Sequence, residues 1–270
     1  MRIATWNVNS VRARTARIVD WLERSDVDVL AMQEIKCKTE QFPYEAFEAA
    51  GYEVQAHGHN QWNGVAIASR LPMTEVERDF PGQPGYANTG DPVVEARAMA
   101  ATVGHVEAPQ SHALDGRELT HAHYGYKLEW LRVLTGLLDE WRGRPLALMG
   151  DFNIAPLDHD VWDIGAFDGA THVSQPERDA FQALIDAGLV DLVRERAAGY
   201  TYWDYKAGRW NKNEGMRIDF VLGSPELSEL VARASIDRAE RSGDAPSDHV
   251  PVVVDLNLET ELDDDRPMIF

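Results

Sequence analysis

Apolar residues follow two rhythms along this chain. Some form short unbroken runs: Arg2–Val8, Val27–Met32, Gly64–Ser69, Ala96–Val103, Leu146–Gly150, Ile218–Gly223 and Val250–Leu256. Such runs read as strands covered on both faces, because a half-solvated strand alternates apolar with polar residues. Others recur every three or four residues. Val11–Glu23 places Ile18, Val19 and Leu22 on one face, and Tyr124–Trp141 does the same with Leu128, Leu131, Leu134, Leu138 and Trp141. Gln175–Ala187 opens with Pro176, a good first-turn residue. These three are predicted helices. Strands follow one another without a helix between 64 and 103, whereas elsewhere strands and helices alternate. The mixture predicts mixed sheets with helices outside, not a purely parallel doubly wound sheet.

The predicted strands share an oddity at their ends. "RPLALMGDFNIAP" runs from an apolar strand straight into Asp151 and Asn153. Asn7 ends the first strand, Glu34 follows the second, Asp219 opens "DFVLG", and Asp248-His249 precedes the last. A carboxylate or amide buried there without a partner is costly. Gathered at one rim of a scaffold, the same groups make a site without sacrificing the core. Hard oxygen donors suit Mg²⁺, with Mn²⁺ as a substitute. There is no Cys/His cluster for structural zinc, and the two histidines of "HAHY" read as a loop before the long helix. A GxxxxGK[ST] phosphate loop and a Gly-x-Ser-x-Gly elbow are both missing. A divalent cation beside a His–Asp pair and a second Asp suits phosphate-ester hydrolysis. The metal neutralises phosphate charge, a carboxylate or imidazole positions water, and an amide donates to developing negative charge.

Composition narrows the partners. With 270 residues, 44% hydrophobic and 26% charged, the chain can bury a sizeable core without staples. We read one domain from Met1 to Glu259, then a charged tail, "ETELDDDRPMIF", expected to fray and offering a weak candidate clamp-docking end. Cys37 is the single cysteine, which fits a reducing cytoplasm. "MRIATWNVNS" has no signal-peptide pattern, and no apolar run approaches membrane-spanning length. The net charge of −19 argues against indiscriminate nucleic-acid binding but leaves room for a local basic groove from Arg12, Arg14, Arg17, Lys36 and Lys38.

Taken together, "ATWNVNSVRAR", "VDVLAMQEIK", "WNGVAIASR", "HYGYKLEWL", "PLALMGDFNIAP", "SQPERDAFQALIDAGLVDLVR", "YTYWDY", "GMRIDFVLGSP" and "APSDHVPVVVDL" resemble the exonuclease III family of AP endonucleases, within the DNase-I-like phosphoesterase superfamily. "GDFN" and "SDH" mark the superfamily, and the remaining motifs narrow it. The resemblance implies an α/β four-layer sandwich, two packed mixed sheets flanked by helices. It implies Mg²⁺-dependent hydrolysis of duplex DNA: incision 5′ to abasic sites, 3′→5′ exonuclease action and 3′-phosphatase repair, by a cytoplasmic, nucleoid-associated monomer. By position, Glu34 is implied as the principal metal ligand, with Asn7 and Asp248 close by and Asp151, Asn153 and His249 at the same centre. Asp151 is the acid/base group, Asn153 holds phosphate or water, and Asp219 orients His249. Tyr202, Trp203, Trp210 and Met216 match the wall of an abasic-sugar pocket, and Arg12, Arg14 and Lys36 the backbone phosphate contacts.

One stretch departs from the pattern. The family carries a site tyrosine in a Tyr-x-Pro-Asn/Gln-Gly motif. Here "EAPQSHALDG", anchored on Gly116, puts His112 at the tyrosine, Leu114 at the proline and Asp115 at the amide. Pro109 argues against a central strand there. Three readings stay open: His112 donates with shorter reach, Tyr124 or Tyr126 fills in, or activity is weakened. Two other outcomes remain beside the nuclease: a phosphoesterase acting on non-DNA phosphate esters, and a catalytically impaired DNA-end binder.

Overall fold

A computed structural model describes residues 1–87, 89–104, 106–112 and 118–258. In chain order the strands are β1 (Arg2–Asn7), β2 (Val29–Gln33), β3 (Glu53–His57), β4 (Val65–Ser69), β5 (Met73–Arg78), β6 (Ala98–Val103), β7 (Val106–Glu107), β8 (Gln110–His112), β9 (Ala147–Asp151), β10 (Val190–Asp191), β11 (Asp219–Gly223), β12 (Val231–Ile236) and β13 (Val252–Leu256). The helices are α1 (Val11–Ser25), α2 (Tyr44–Ala49), α3 (Ala122–Leu137), α4 (Gln175–Asp186), α5 (Arg209–Lys212) and α6 (Pro225–Glu229). A 3₁₀ turn, Leu138–Trp141, continues α3.

Two sheets result, in spatial order β12-β13-β1-β2-β4-β3 and β10-β11-β9-β8-β6-β5, with β7 beside β6. Both are mixed: β1–β2 and β8–β9 are parallel, and the remaining pairs are antiparallel. Alternate residues of each central strand point to opposite faces. In β1, Ile3 joins the layer between the sheets, with Val29, Val65, Met149 and Val221. Ala4 and Trp6 face outward against Ile18, Trp21 and Leu22 of α1 and Phe47 of α2. The outer face of the second sheet carries Leu148, Phe220 and Leu222 under Trp130 and Leu134 of α3 and Phe181 of α4. The order helix, sheet, sheet, helix is the four-layer α/β sandwich that the sequence implied. Both faces of every central strand are covered, hence the unbroken apolar runs.

Each predicted strand and helix forms, with ends displaced by a residue or two. Four strands carried no such signal: β3, β12, β5 and β10. All four are sheet edges. Edge strands expose charged residues, here Glu53, Glu75, Glu77 and Arg233, so their apolar pattern is broken. The objection raised by Pro109 holds in part. The chain pairs on either side of it as β7 and β8, both short, while the Pro109 carbonyl accepts from Met149 N at 3.1 Å. A proline keeps its acceptor and loses only its donor, so the strand is interrupted rather than abolished. Leu114, Asp115, Gly116 and the tail from 259 onward lie outside the described residues. No helix among the described residues is long and apolar enough to cross a membrane.

Register then builds the rim. Asn7 pairs with Gln33 at the ends of β1 and β2, one residue before Glu34. Asp151 at the end of β9 stands directly between His112 on β8 and Asp219 at the start of β11. Residues far apart in sequence meet because both sheets end at one edge.

Candidate active site

Asp151, Asp219, His249 and Asn7 are almost wholly buried, and each is held by a specific partner. The His249 ring faces Asp219 through Nδ1, 2.9 Å from Oδ2 and 3.1 Å from Oδ1. The opposite ring nitrogen, Nε2, stands 3.7 Å from Asp151 Oδ2. Trp6 Nε1 donates to the His249 carbonyl at 3.1 Å, and Thr201 Oγ1 accepts from Asp219 N at 3.1 Å. Both ends of the His–Asp pair are therefore anchored to the core.

On the other side, Asn7 Nδ2 donates to Glu34 Oε1 and to Asp151 Oδ2, each at 3.0 Å. One amide group thus ties the ends of three strands. Asn153 N donates to Asp151 Oδ1 at 2.8 Å and Asn153 Nδ2 to Asp151 Oδ2 at 3.2 Å. Asp248 is one step removed: Asn9 Nδ2 donates to its Oδ1 at 2.9 Å, and Asn9 Oδ1 accepts from Lys36 Nζ at 2.5 Å. Lys36 Nζ also lies 2.7 Å from Glu34 Oε2. Positive φ is concentrated here, at Asn9 (43°), Glu34 (52°), Lys36 (50°), Asn153 (51°) and His172 (73°). Non-glycine residues in that region are strained, and such strain clusters at working sites.

Charge crowding has consequences for protonation. Burial pushes the Asp151 carboxyl well above the carboxylate range; His249 opposes this, and Asp219 and Glu34 reinforce it. Burial works against charge on His249, but Asp219 and then Asp151 outweigh it and hold the imidazolium well above its ordinary value. Asp151, Asp219 and His249 together place one ligand atom each within 4.8 Å of one another. Hard carboxylate oxygens crowded enough to retain a proton fit a divalent cation of the Mg²⁺ class, which would relieve the same repulsion. Glu34 Oε1 and Asp151 Oδ2 face the same Asn7 amide, which brings these two carboxylates to one place on the rim. Asn7 and Asn153 present their amide nitrogens to the carboxylates, and that of Asn7 bridges two of them. His249 has Nδ1 committed to Asp219, and the two flanking carboxylates favour its imidazolium, which would carry a proton on Nε2.

The remaining sequence candidates divide. Tyr202 stacks near His249, ring centroids 4.8 Å apart, and pairs across to Met216 and His249, so both pocket candidates stand at the site. Trp203 is fully buried and packs edge-on to Trp210, whose ring lies under the guanidinium groups of Arg238 and Arg241. Trp203 thus braces the segment instead of lining a cavity, a correction to the wall proposed from the motif, while Trp210 keeps a half-exposed face. Arg14 is also committed, donating to the Asn9 and Pro246 carbonyls and to Tyr205 Oη. Arg17 is tied to Glu240 and the 242–244 loop. Arg12 remains exposed at the surface. The hydroxyls of Tyr124 and Tyr126 bond to Ser174 Oγ at 2.7 Å and the Pro84 carbonyl at 3.2 Å, so neither fills in for a site tyrosine. His112 holds the place beside Asp151 through its main chain. The sequence did not single out Asn9, Lys127 or His172. The one available signal was "HYGYKLEWL", whose Lys127 interrupts an apolar helix face.

Comparison with known proteins places this geometry. Residues 4–249 match the endonuclease/exonuclease/phosphatase family. An exodeoxyribonuclease III from Haemophilus influenzae is 29% identical over 269 residues, covering 93% of this chain and 98% of its own length. A 3′ phosphatase from Neisseria, solved with a product DNA hairpin, superposes with a TM-score of 0.89 at 34% identity, covering 96% of this chain and all of that one. An AP endonuclease from Archaeoglobus fulgidus gives 0.87 at 29% identity, with the same coverage.

Proposed function

We propose, from the premise that this chain belongs to the endonuclease/exonuclease/phosphatase family and is a hydrolase of the exonuclease III and AP-endonuclease type, that it is a Mg²⁺-dependent DNA-repair phosphoesterase. Its substrates are duplex DNA with abasic sites or with 3′ ends, incised 5′ to the lesion or trimmed and dephosphorylated at the terminus. Neisseria and Archaeoglobus relatives support the two halves of that statement: one is a 3′ phosphatase, the other an AP endonuclease. One observation carries the reading. The Asn7 amide spans Glu34 and Asp151 while His249, backed by Asp219, faces Asp151 from across the rim.

The residues then take complementary roles. A bound Mg²⁺, held by Glu34 and Asp151, would neutralise charge on a phosphate oxygen. Asp151 takes a proton from the attacking water or returns one to the leaving oxygen, facing His249 Nε2 across 3.7 Å. His249, kept cationic by Asp219, donates from Nε2 to a phosphate oxygen. The Asn153 amide orients water or phosphate. Tyr202 and Met216 wall the space for a sugar lacking its base, which admits what a full nucleotide would overfill. Arg12 contacts a backbone phosphate, and His112 stands where the family has tyrosine, with shorter reach and lower efficiency. The enzyme acts on DNA in the cytoplasm as a monomer.

Three duplexes test this: one with an abasic site, one with a nick ending in 3′-phosphate, one blunt. With Mg²⁺ the abasic and 3′-phosphate substrates are processed, and EDTA abolishes both reactions. A folded protein that leaves all three intact in Mg²⁺ and Mn²⁺ overturns the proposal in favour of a DNA-end binder. Full turnover in EDTA removes the metal from it.

A further inference from the structure

Against the main chain of Asn153 lies an ion pair that the roles above do not use. Lys127 of α3 and Glu177 of α4 have no exposed side-chain surface, with Nζ 2.6 Å from Oε1. Lys127 Nζ also donates to the Asn153 carbonyl at 2.6 Å. His172 Nδ1 lies 2.7 Å from the same oxygen. Glu177 is the third residue of α4 and closes a capping box with Ser174, whose Oγ donates to Oε2 at 2.6 Å.

Helix capping explains Glu177 but not Lys127. The box needs one carboxylate oxygen, and a neutral donor could satisfy the other. An ammonium in this place is costly to desolvate, and an apolar side chain of similar length would fill the same volume without that cost. What methionine lacks is a donor for Asn153 O. Asn153 sits at φ 51°, a left-handed conformation that asparagine tolerates but does not hold by itself, so what fixes it is the grip on its main chain. Rotating that peptide would swing the side-chain amide away from Asp151.

We propose that Lys127, seated on Glu177, is a positioning residue for the site: by gripping the main-chain carbonyl of Asn153 it holds that residue's left-handed backbone and aims its side-chain amide at Asp151. This rests on the reading that the Asn153 amide serves the reaction. The pair is therefore a remote brace, reaching the rim from two helices on the outer face of the second sheet.

The test is the double variant Lys127→Met/Glu177→Gln, which removes both charges at nearly constant volume. On the 3′-phosphate duplex with saturating Mg²⁺, kcat falls by about ten- to a hundredfold while KM stays within about threefold, because a displaced group is missed in the transition state rather than in binding. The thermal midpoint changes little. Lys127→Gln is the second variant, since it removes the positive charge and draws the donor back by one bond from Asn153 O and Glu177 Oε1 alike. The side-chain NH₂ signals of Asn153, read by ¹⁵N NMR, shift in either variant. A folded variant with parental kcat, or with unmoved Asn153 signals, overturns the proposal. A parent protein inactive on every duplex sinks the proposed function instead, and the Asn153 signals still decide whether Lys127 sets that amide.

Discussion

Asp219 acts through His249. Its carboxylate takes both bonds from one ring nitrogen and leaves the other nitrogen facing Asp151. Removing the charge while keeping the shape, in Asp219→Asn, is expected to lower kcat by about 10²–10⁴-fold, as for other histidines that lose their orienting carboxylate. The same variant has a signature in stability. The folded protein holds protons on His249 and Asp151 that the unfolded chain has released, the His249 proton from about pH 6.5 upward. A group whose folded pKa is raised contributes stability that is complete below its unfolded value and lost as the pH climbs. Metal-free protein should therefore melt at lower temperature as pH rises, from above about 3.8 through the Asp151 proton and more steeply past about 6.5 through that of His249, and Asp219→Asn should flatten that decline. Thermal melts across the pH range check it; parallel curves for parent and variant would contradict it. Glu34, Asp151, Asn153 and His249 were legible as residues because a polar group after an apolar run is expensive. Their separate duties were not: which end of the Asn7 amide and which nitrogen of His249 faces which carboxylate depends on partners 27 to 144 residues away.

Elements explain where reading the chain succeeded. Central strands are covered on both faces and announce themselves as unbroken apolar runs; β3, β5, β10 and β12 lie at edges and hide among charges. The interrupted pair β7 and β8 is the instructive middle case. Pro109 shortens the strand without abolishing it: its carbonyl still serves β9, and the three residues of β8, between β9 and β6, bring His112 into register with Asp151. That placement leads to the expectation that His112→Tyr raises turnover several-fold, since tyrosine restores the longer phenol donor of the family motif at the same backbone position. Steady-state rates on the abasic duplex decide; unchanged or lower turnover means the histidine is no poor substitute. The motif "YTYWDY" was legible as a unit but not in its parts. Tyr202 reaches His249, whereas Trp203, next along the strand-like segment, points into packing, as alternation requires.

The whole molecule carries a net charge of −19 and must still grip a polyanion. Two of the basic residues near the start, Arg14 and Arg17, are spent on internal bonds, and Lys36 sits on Glu34. Few cations are left for phosphates, so DNA affinity should depend on salt more gently than for a basic nuclease. Arg12→Ala should reduce the slope of log K against log salt by about one. Binding titrations with a 3′-phosphate duplex in EDTA measure it, and an unchanged slope removes Arg12 from the contact surface. Sequence alone determined the layers, the central strands, the family resemblance and the residue types at the rim, because hydrophobic periodicity and the cost of buried charge are local properties of the chain. Tertiary structure alone decided the edge strands, the commitment of Arg14 and Trp203 to packing, and the brace of Lys127 and Glu177 behind Asn153. Those depend on which distant atoms share a few ångströms of space, and no spacing along a chain encodes that directly.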